Sequence, residues 1–200
     1  MKTLSYHILD IVQNSLNAEA NLVEISILEN DHKDLFSLTI ADNGKGMDQQ
    51  TLALSTDPCY TTRKERNVGL GLSLLKQNAE RTGGSFFIDS HPGTGTYVQA
   101  EFMKSHIDCP AVGDLAGTIH QIMVANFRND FIYHHHHNGW RYELDTREIK
   151  AVLDHLPIYH PELSRYIEEM IRENLNWLKN RALESVDSWK ISDCPPGYLE

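Results

Sequence analysis

Two hundred residues with 40% hydrophobic content can bury a core of one large domain or two small ones. The formal net charge is −10, with nine basic against thirteen acidic residues up to Ser105 and nine against fifteen beyond. An acidic chain without a basic stripe argues against nucleic acid or an anionic membrane as its main partner.

Cys59, Cys109 and Cys194 are odd in number and widely spaced, which gives neither a disulfide framework nor a metal-ligand pattern. They fit a reducing, cytoplasmic setting. The start Met-Lys-Thr-Leu-Ser-Tyr-His-Ile-Leu-Asp lacks the regions of a signal peptide, and no apolar run approaches membrane-spanning length.

In chain order, Leu4, Ile8, Ile11, Val12 and Leu16 recur at helical spacing and predict an amphipathic helix over 4–20. Two strand-like runs follow, 22–28 and 35–41, joined by a polar stretch. A helix is expected over 48–54, and another from Leu70 to the paired Gly83-Gly84, which can end it. Strands over 86–90 and 96–102 flank the turn His91-Pro92-Gly93-Thr94-Gly95. Residues 108–113 read as a linker and 115–126 as a helix. Runs 131–137 and 140–144 face each other across Asn138-Gly139, the strongest two-residue hairpin signal. Asp145 can cap a helix, with Glu148 closing a capping box. Pro161 opens a long amphipathic helix, and the tail from Ser192 reads as irregular.

Four motifs carry chemistry. Asp10, Asn14 and Asn17 fall on one helical face, so a carboxylate and two amides point into the same space. Such a face suits a hard cation and a proton acceptor, and equally suits a solvated surface. Asp42-Asn43-Gly44-Lys45-Gly46-Met47 follows a strand, where an aspartate can accept from an exocyclic amine and glycines let backbone approach a flat ligand. Asn67-Val68-Gly69-Leu70-Gly71-Leu72 leads into a helix, whose free amides and dipole favour phosphate. No strand precedes it, so the Rossmann context fails. Gly93-Thr94-Gly95-Thr96 closes the series.

Taken in order, these motifs resemble the N, G1, G2 and G3 boxes of the GHKL ATPases. Asp57-Pro58-Cys59-Tyr60-Thr61-Thr62-Arg63 resembles the F box of sensor histidine kinases, with Cys59 in place of an aromatic residue and Arg63 in place of lysine. The likeness covers residues 1–105 and is to a stand-alone bacterial histidine-kinase-like protein without the phosphoacceptor domain. It implies an α/β two-layer sandwich of the Bergerat type, with helices on one face of a mixed sheet. A small α+β module of unassigned role would follow over 106–200.

The resemblance also implies roles. Asn14 would ligate Mg²⁺, with Asn17 beside it. Asp42 would bind the adenine amine of ATP, with Gly44, Gly46, Met47 and Thr96 forming the base site. Gly69, Leu70, Gly71 and Leu72 would cradle the phosphates, and Thr62, Arg63 and Lys64 would reach them from a short lid. Asp10 sits where many histidine kinases carry asparagine and mismatch-repair ATPases a glutamate base, which makes it the candidate catalytic residue. These roles imply phosphorylation of a protein partner in cytoplasmic signalling or, alternatively, an ATP-gated switch that needs only binding.

Among the histidines, His7 lies on the first helix, too near the pocket to be a separate phosphoacceptor, and His120 is a conceivable acceptor or a structural residue. The histidine run 134–137 reads as the surface of an edge strand. Alternation leaves at most two histidines per face, so a metal would need help from His155, His160 or a carboxylate.

Overall fold

Hydrophobic alternation writes most of the architecture. A computed structural model of the chain describes residues 3–57, 70–153 and 158–188, the last four as backbone alone. The elements are α1 (Leu4–Asn17), β1 (Leu22–Asn30), β2 (Leu35–Asp42), α2 (Gln49–Leu54), α3 (Leu70–Arg81), β3 (Phe86–His91) and β4 (Gly95–Met103). Then come α4 (Leu115–Ala125), β5 (Asp130–His137), β6 (Trp140–Asp145), α5 (Thr146–Leu153) and α6 (Pro161–Ser188). Each expected element within the described residues is present, and where bounds were assigned they shift by three residues at most.

The strands form one mixed sheet in the order β3-β4-β2-β1-β5-β6. Every second residue of β1 and β2 is apolar, so Val23, Ile25 and Ile27 stand beside Ile40 and Leu38 on the same face. On that face pack Leu4, Ile8, Ile11 and Val12 of α1, Leu75 and Ala79 of α3, Ile119 and Ile122 of α4, and Ile167 and Ile171 of α6. Phe36, 1% exposed, meets Phe102 edge-on with ring centroids 6.2 Å apart. Truncating it to alanine removes about 3–5 kcal/mol of packing. The opposite face carries Leu28, Phe87 and Tyr97, all exposed. This is the two-layer arrangement that the sequence implies.

The sheet does not stop where the sequence resemblance stops. β5 pairs in parallel with β1, from Leu22↔Asp130 to Glu29↔His137, and β6 adds antiparallel to β5 through the Asn138-Gly139 turn. Both turn residues have positive φ, as the tight hairpin requires. The edge-strand expectation for run 134–137 is therefore overturned: β5 is an inner strand.

The stretch expected to be a linker also has a structural role. Ala111 and Val112 carbonyls accept from the Leu4 and Ser5 amides, both at 2.9 Å, satisfying donors that the first turn of α1 leaves open. α4 packs against α1 in turn. Among the described residues, no helix is long and apolar enough to cross a membrane.

Candidate nucleotide-binding site

Asp42 ends β2, where the strand leaves the core and its side chain turns toward α1. Its Oδ2 accepts from Ser15 Oγ at 2.6 Å, and its Oδ1 accepts from the amides of Gly44 at 2.9 Å and Thr96 at 3.2 Å. All three partners donate and none is charged. A carboxylate offers about four lone-pair sites, so one remains on Oδ2 for a ligand donor.

Two glycines close the loops around this carboxylate. Gly46 has φ +64°, and a Cβ there would lie 2.0 Å from the His91 carbonyl oxygen. Gly95 has φ +124°, and a Cβ there would lie 1.8 Å from the carbonyl oxygen of Asp42 itself. Only glycine fits either position. Ser90 fastens the two loops together: its Oγ accepts from Met47 N and lies 3.0 Å from Thr96 Oγ1, beside Gly46 and Gly95 respectively. Gly93 N donates to Lys45 O at 2.8 Å. Asn43 points away from this site and caps the start of β1, accepting from the amides of Asn21 and Leu22.

On α1, Asp10 and Asn14 are half-buried, while Asn17 is exposed and accepts from Gln13 at 3.3 Å. α3 begins at Leu70, which is 43% exposed, with Leu72 packed on the core. Gly71 faces Asp10 closely, and a Cβ there would lie 3.4 Å from Asp10 Cβ, in ordinary contact with it. Thr62, Arg63, Lys64 and Gly69 lie outside the described residues. The structure thus brings Asp42, Gly44, Gly46, Met47 and Thr96 together, and sets Asp10 against Gly71. Ser15 and Ser90 were missed by sequence reasoning. Ser15 follows Asn14 directly, and its hydroxyl on the buried side of a helix was the available signal.

A second polar cluster lies at the far end of the same strand pair. Lys104 Nζ donates to Glu29 Oε2 at 2.7 Å and to Asp31 Oδ1 at 2.5 Å. His135 Nε2 lies 3.0 Å from Glu29 Oε1, and His137 Nε2 lies 2.8 Å from Asp31 Oδ2. Since a carboxylate only accepts, both imidazoles donate through Nε2. Burial by itself pushes Glu29 up, but hydrogen bonds from His135 and Lys104 outweigh it and hold the carboxyl at about 2. Burial also pushes Asp31 up, and Lys104 and His137 bring it to about 2. Burial raises the Tyr133 hydroxyl well above its ordinary value, so it stays protonated and lies 2.9 Å from His135 Nδ1.

Neither candidate acceptor histidine presents its ring to an incoming phosphate. His7 is 0% exposed, with Nε2 3.0 Å from Asn78 Nδ2 in the seam between α1 and α3. His120 sits between α4 and α6, its Nε2 2.8 Å from Ser164 Oγ and its Nδ1 3.6 Å from Glu168.

Comparison with known proteins speaks to the family and the fold. The family model of histidine kinase-, DNA gyrase B-, and HSP90-like ATPases matches residues 2–106. Sporulation kinase A of Bacillus subtilis is 31% identical over 98 residues, which cover 48% of this chain and 16% of that kinase. Sensor histidine kinase WalK of the same organism is 31% identical over 96 residues, covering 44% of this chain. The chain spans only 16% of either relative's length. The crystal structure of the N-terminal domain of a DNA repair protein superposes with a TM-score of 0.53 at 16% identity, covering 72% of this chain and 53% of that one. That coverage is more than residues 2–106 could supply, so the shared fold runs past the sequence family's boundary. Identity this low speaks for fold alone. The chain belongs to the histidine kinase-, DNA gyrase B- and HSP90-like ATPase family.

Proposed function

We propose that this chain binds ATP with Mg²⁺ between α1, the β2 end and α3, and passes the γ-phosphoryl group to a separate protein in cytoplasmic signalling. The observation that carries the reading is the Asp42 carboxylate, fixed by three neutral donors with acceptor capacity to spare. Asp42 takes the adenine amine, with the backbone of Gly46 and the side chain of Thr96 completing the base site. Asn14 supplies an amide oxygen to Mg²⁺, which neutralises phosphate charge when bound. The amides of Gly69, Gly71 and Leu72 hold the phosphates, and Thr62, Arg63 and Lys64 reach them from the lid. Asp10, one helical turn before Asn14, takes the acceptor's proton. The bond from the γ-phosphorus to its bridging oxygen breaks, the bond to the acceptor forms, and ADP leaves.

The acceptor belongs to another molecule on this reading, because His7 and His120 are both engaged inside the fold. Incubation with γ-labelled ATP, alone and with cell extract, tests the transfer. Asp10→Asn should lower it by about a hundredfold to ten-thousandfold while changing ATP affinity by less than about tenfold. Undiminished transfer in that variant overturns the role of Asp10. No transfer by the wild type to any protein overturns the kinase reading.

A second reading, an ATP-gated switch, is favoured by one element. α1 carries Asp10 and Asn14, is held at its start by Ala111 and Val112, and packs on α4. Nucleotide that shifts α1 then reaches residues 106–188 without chemistry. Hydrogen exchange in α4 should differ with and without ATP; identical exchange removes this reading.

A further inference from the structure

The sheet carries its helices on one side, and alternation decides which side chains shape the other. On the two middle strands, Ser26 of β1 and Ser37, Thr39 and Ala41 of β2 stand outward beside one another, and all four are short. Toward one edge stand Phe87 of β3 and Tyr97 of β4, 55% and 37% exposed, with ring centroids 6.1 Å apart and edge to face. Toward the other edge stand His134 and His136 of β5. Short side chains between two taller rows make a groove, and a depression of about 360 Å³ lies over Ser26, Ser37 and Thr39. Among the described residues no three histidine, cysteine or carboxylate side chains are grouped to hold a metal ion, so the groove calls for a different occupant.

We propose that this groove seats an amphipathic helix of a partner protein, with lysine or arginine flanking its apolar stripe. β4 and β5 are separated by β2 and β1. Three strand spacings make about 14 Å, and a helix with its side chains is about 10–12 Å across. β1 and β2 have 9 and 8 residues. Strands of that length run about 27 Å, which about 18 helical residues match. The helix would cover Leu28, which is 43% exposed on β1, and lie against the Phe87–Tyr97 wall. Layering helices on both faces is an established way to bury a sheet. Charge then chooses the partner. Glu24, Asp89 and Glu101 stand on the same face, and among the described residues no lysine or arginine pairs with any of them. Arg141 is the one lysine or arginine at a paired position of this face, and it already lies 4.0 Å from Glu143. The charge left over is negative. It attracts a basic helix and repels a second copy of a chain whose net charge is −10.

A fluorescein-labelled helical peptide of about 18 residues, built of leucine, alanine and lysine with the lysines flanking an apolar stripe, tests the groove on the full chain by fluorescence anisotropy. It should bind with a Kd below about 50 µM, and the same peptide with glutamate for lysine at least about tenfold more weakly. Thr39→Arg raises the floor of the groove and adds like charge, so it should weaken the lysine peptide at least about tenfold. Glu24→Gln/Glu101→Gln should weaken it several-fold and flatten its salt dependence. Thermal melts confirm that each variant is folded. A wild-type Kd above about 500 µM, equal binding of the two peptides, or undiminished affinity in Thr39→Arg each overturns the proposal. So does a dimer in light scattering that Thr39→Arg dissolves, because the groove then seats a second copy.

Discussion

The β1–β2 pair has a carboxylate site at each end, and the two are built in opposite ways. At one end Asp42 has three neutral donors and one lone-pair direction to spare. At the other, Glu29 and Asp31 share Lys104 and are each met by a histidine, with Asn138 Nδ2 adding a third donor on Asp31 at 2.8 Å. A carboxylate fixed in place but unneutralised is suited to take a ligand's donor. Carboxylates neutralised by a shared cation and held by imidazoles have their charge already answered inside the fold, and they join strands. The closed end links β1, the chain after β4 and β5, so it fastens residues beyond 105 to the ATPase fold.

The largest effect should come from opening the closed end. Lys104→Met removes the cation between two carboxylates, and breaking such a partly buried network costs about 3 kcal/mol. Urea denaturation should show that loss with an unchanged slope. A loss under about 1 kcal/mol would mean that solvent already screens the cluster, and that it resembles the Asp42 end more than its contacts suggest. Acid should do the same work. Glu29 is lowered from 4.5 to about 2, so its contribution is complete above its unfolded value and is lost as pH falls from about 5 toward 2. For Glu29 the shift corresponds to about 3 kcal/mol. Asp31 is lowered too and shares this window. Stability flat across it would mean that the cluster holds no strained proton balance.

At the open end the effect is smaller and falls on binding. Asp42→Asn keeps an oxygen for the two backbone amides and leaves the Ser15 hydroxyl free to donate to Ile11 O, but it turns an NH2 donor toward the ligand's amine, so one donor meets another donor. The mismatch costs about 1–3 kcal/mol, roughly tenfold to a hundredfold in ATP affinity. Calorimetry reads the affinity and a melt reads the fold. Undiminished affinity removes the nucleotide role of Asp42, whereas a collapse of folding makes it structural like Glu29.

How much of this contrast was legible in the sequence follows from what periodicity encodes. Alternation in 22–28 and 35–41 gave the strands and their faces, and the glycines of the Asp42 loop gave the open end before any coordinates. Alternation says which face a residue takes and nothing about which strand lies alongside. The parallel pairing of β1 with β5, more than a hundred residues apart, was therefore invisible. Glu29 and Asp31 read as part of a polar connection because isolated charges look solvated until their partners are known. The four histidines gave no apolar alternation to mark an inner strand. Lys104 lies at the end of the stretch that the resemblance covers, and it ties the end of β4 to the end of β1, where His135 and His137 carry the link across to β5.

The smallest expected effect divides that histidine run. His134 and His136 stand on the helix-free face, where His134 makes only a 3.6 Å contact with the half-exposed Glu143. Surface replacements away from buried partners stay within about 0.5 kcal/mol, so His134→Ser/His136→Ser should leave the denaturation midpoint nearly unmoved. His135→Ser/His137→Ser alters the same residue types two positions along the same strand. It leaves Glu29 without its imidazole, leaves Asp31 with Lys104 and Asn138 alone, and takes the acceptor away from the buried Tyr133 hydroxyl. Each unpaired buried group costs about 1–3 kcal/mol, so this double variant should lose several-fold more stability than the first. Equal losses in the two variants would mean that the run acts through strand propensity alone. The buried histidines would then not close the far end of β1, and Lys104 would hold it unaided.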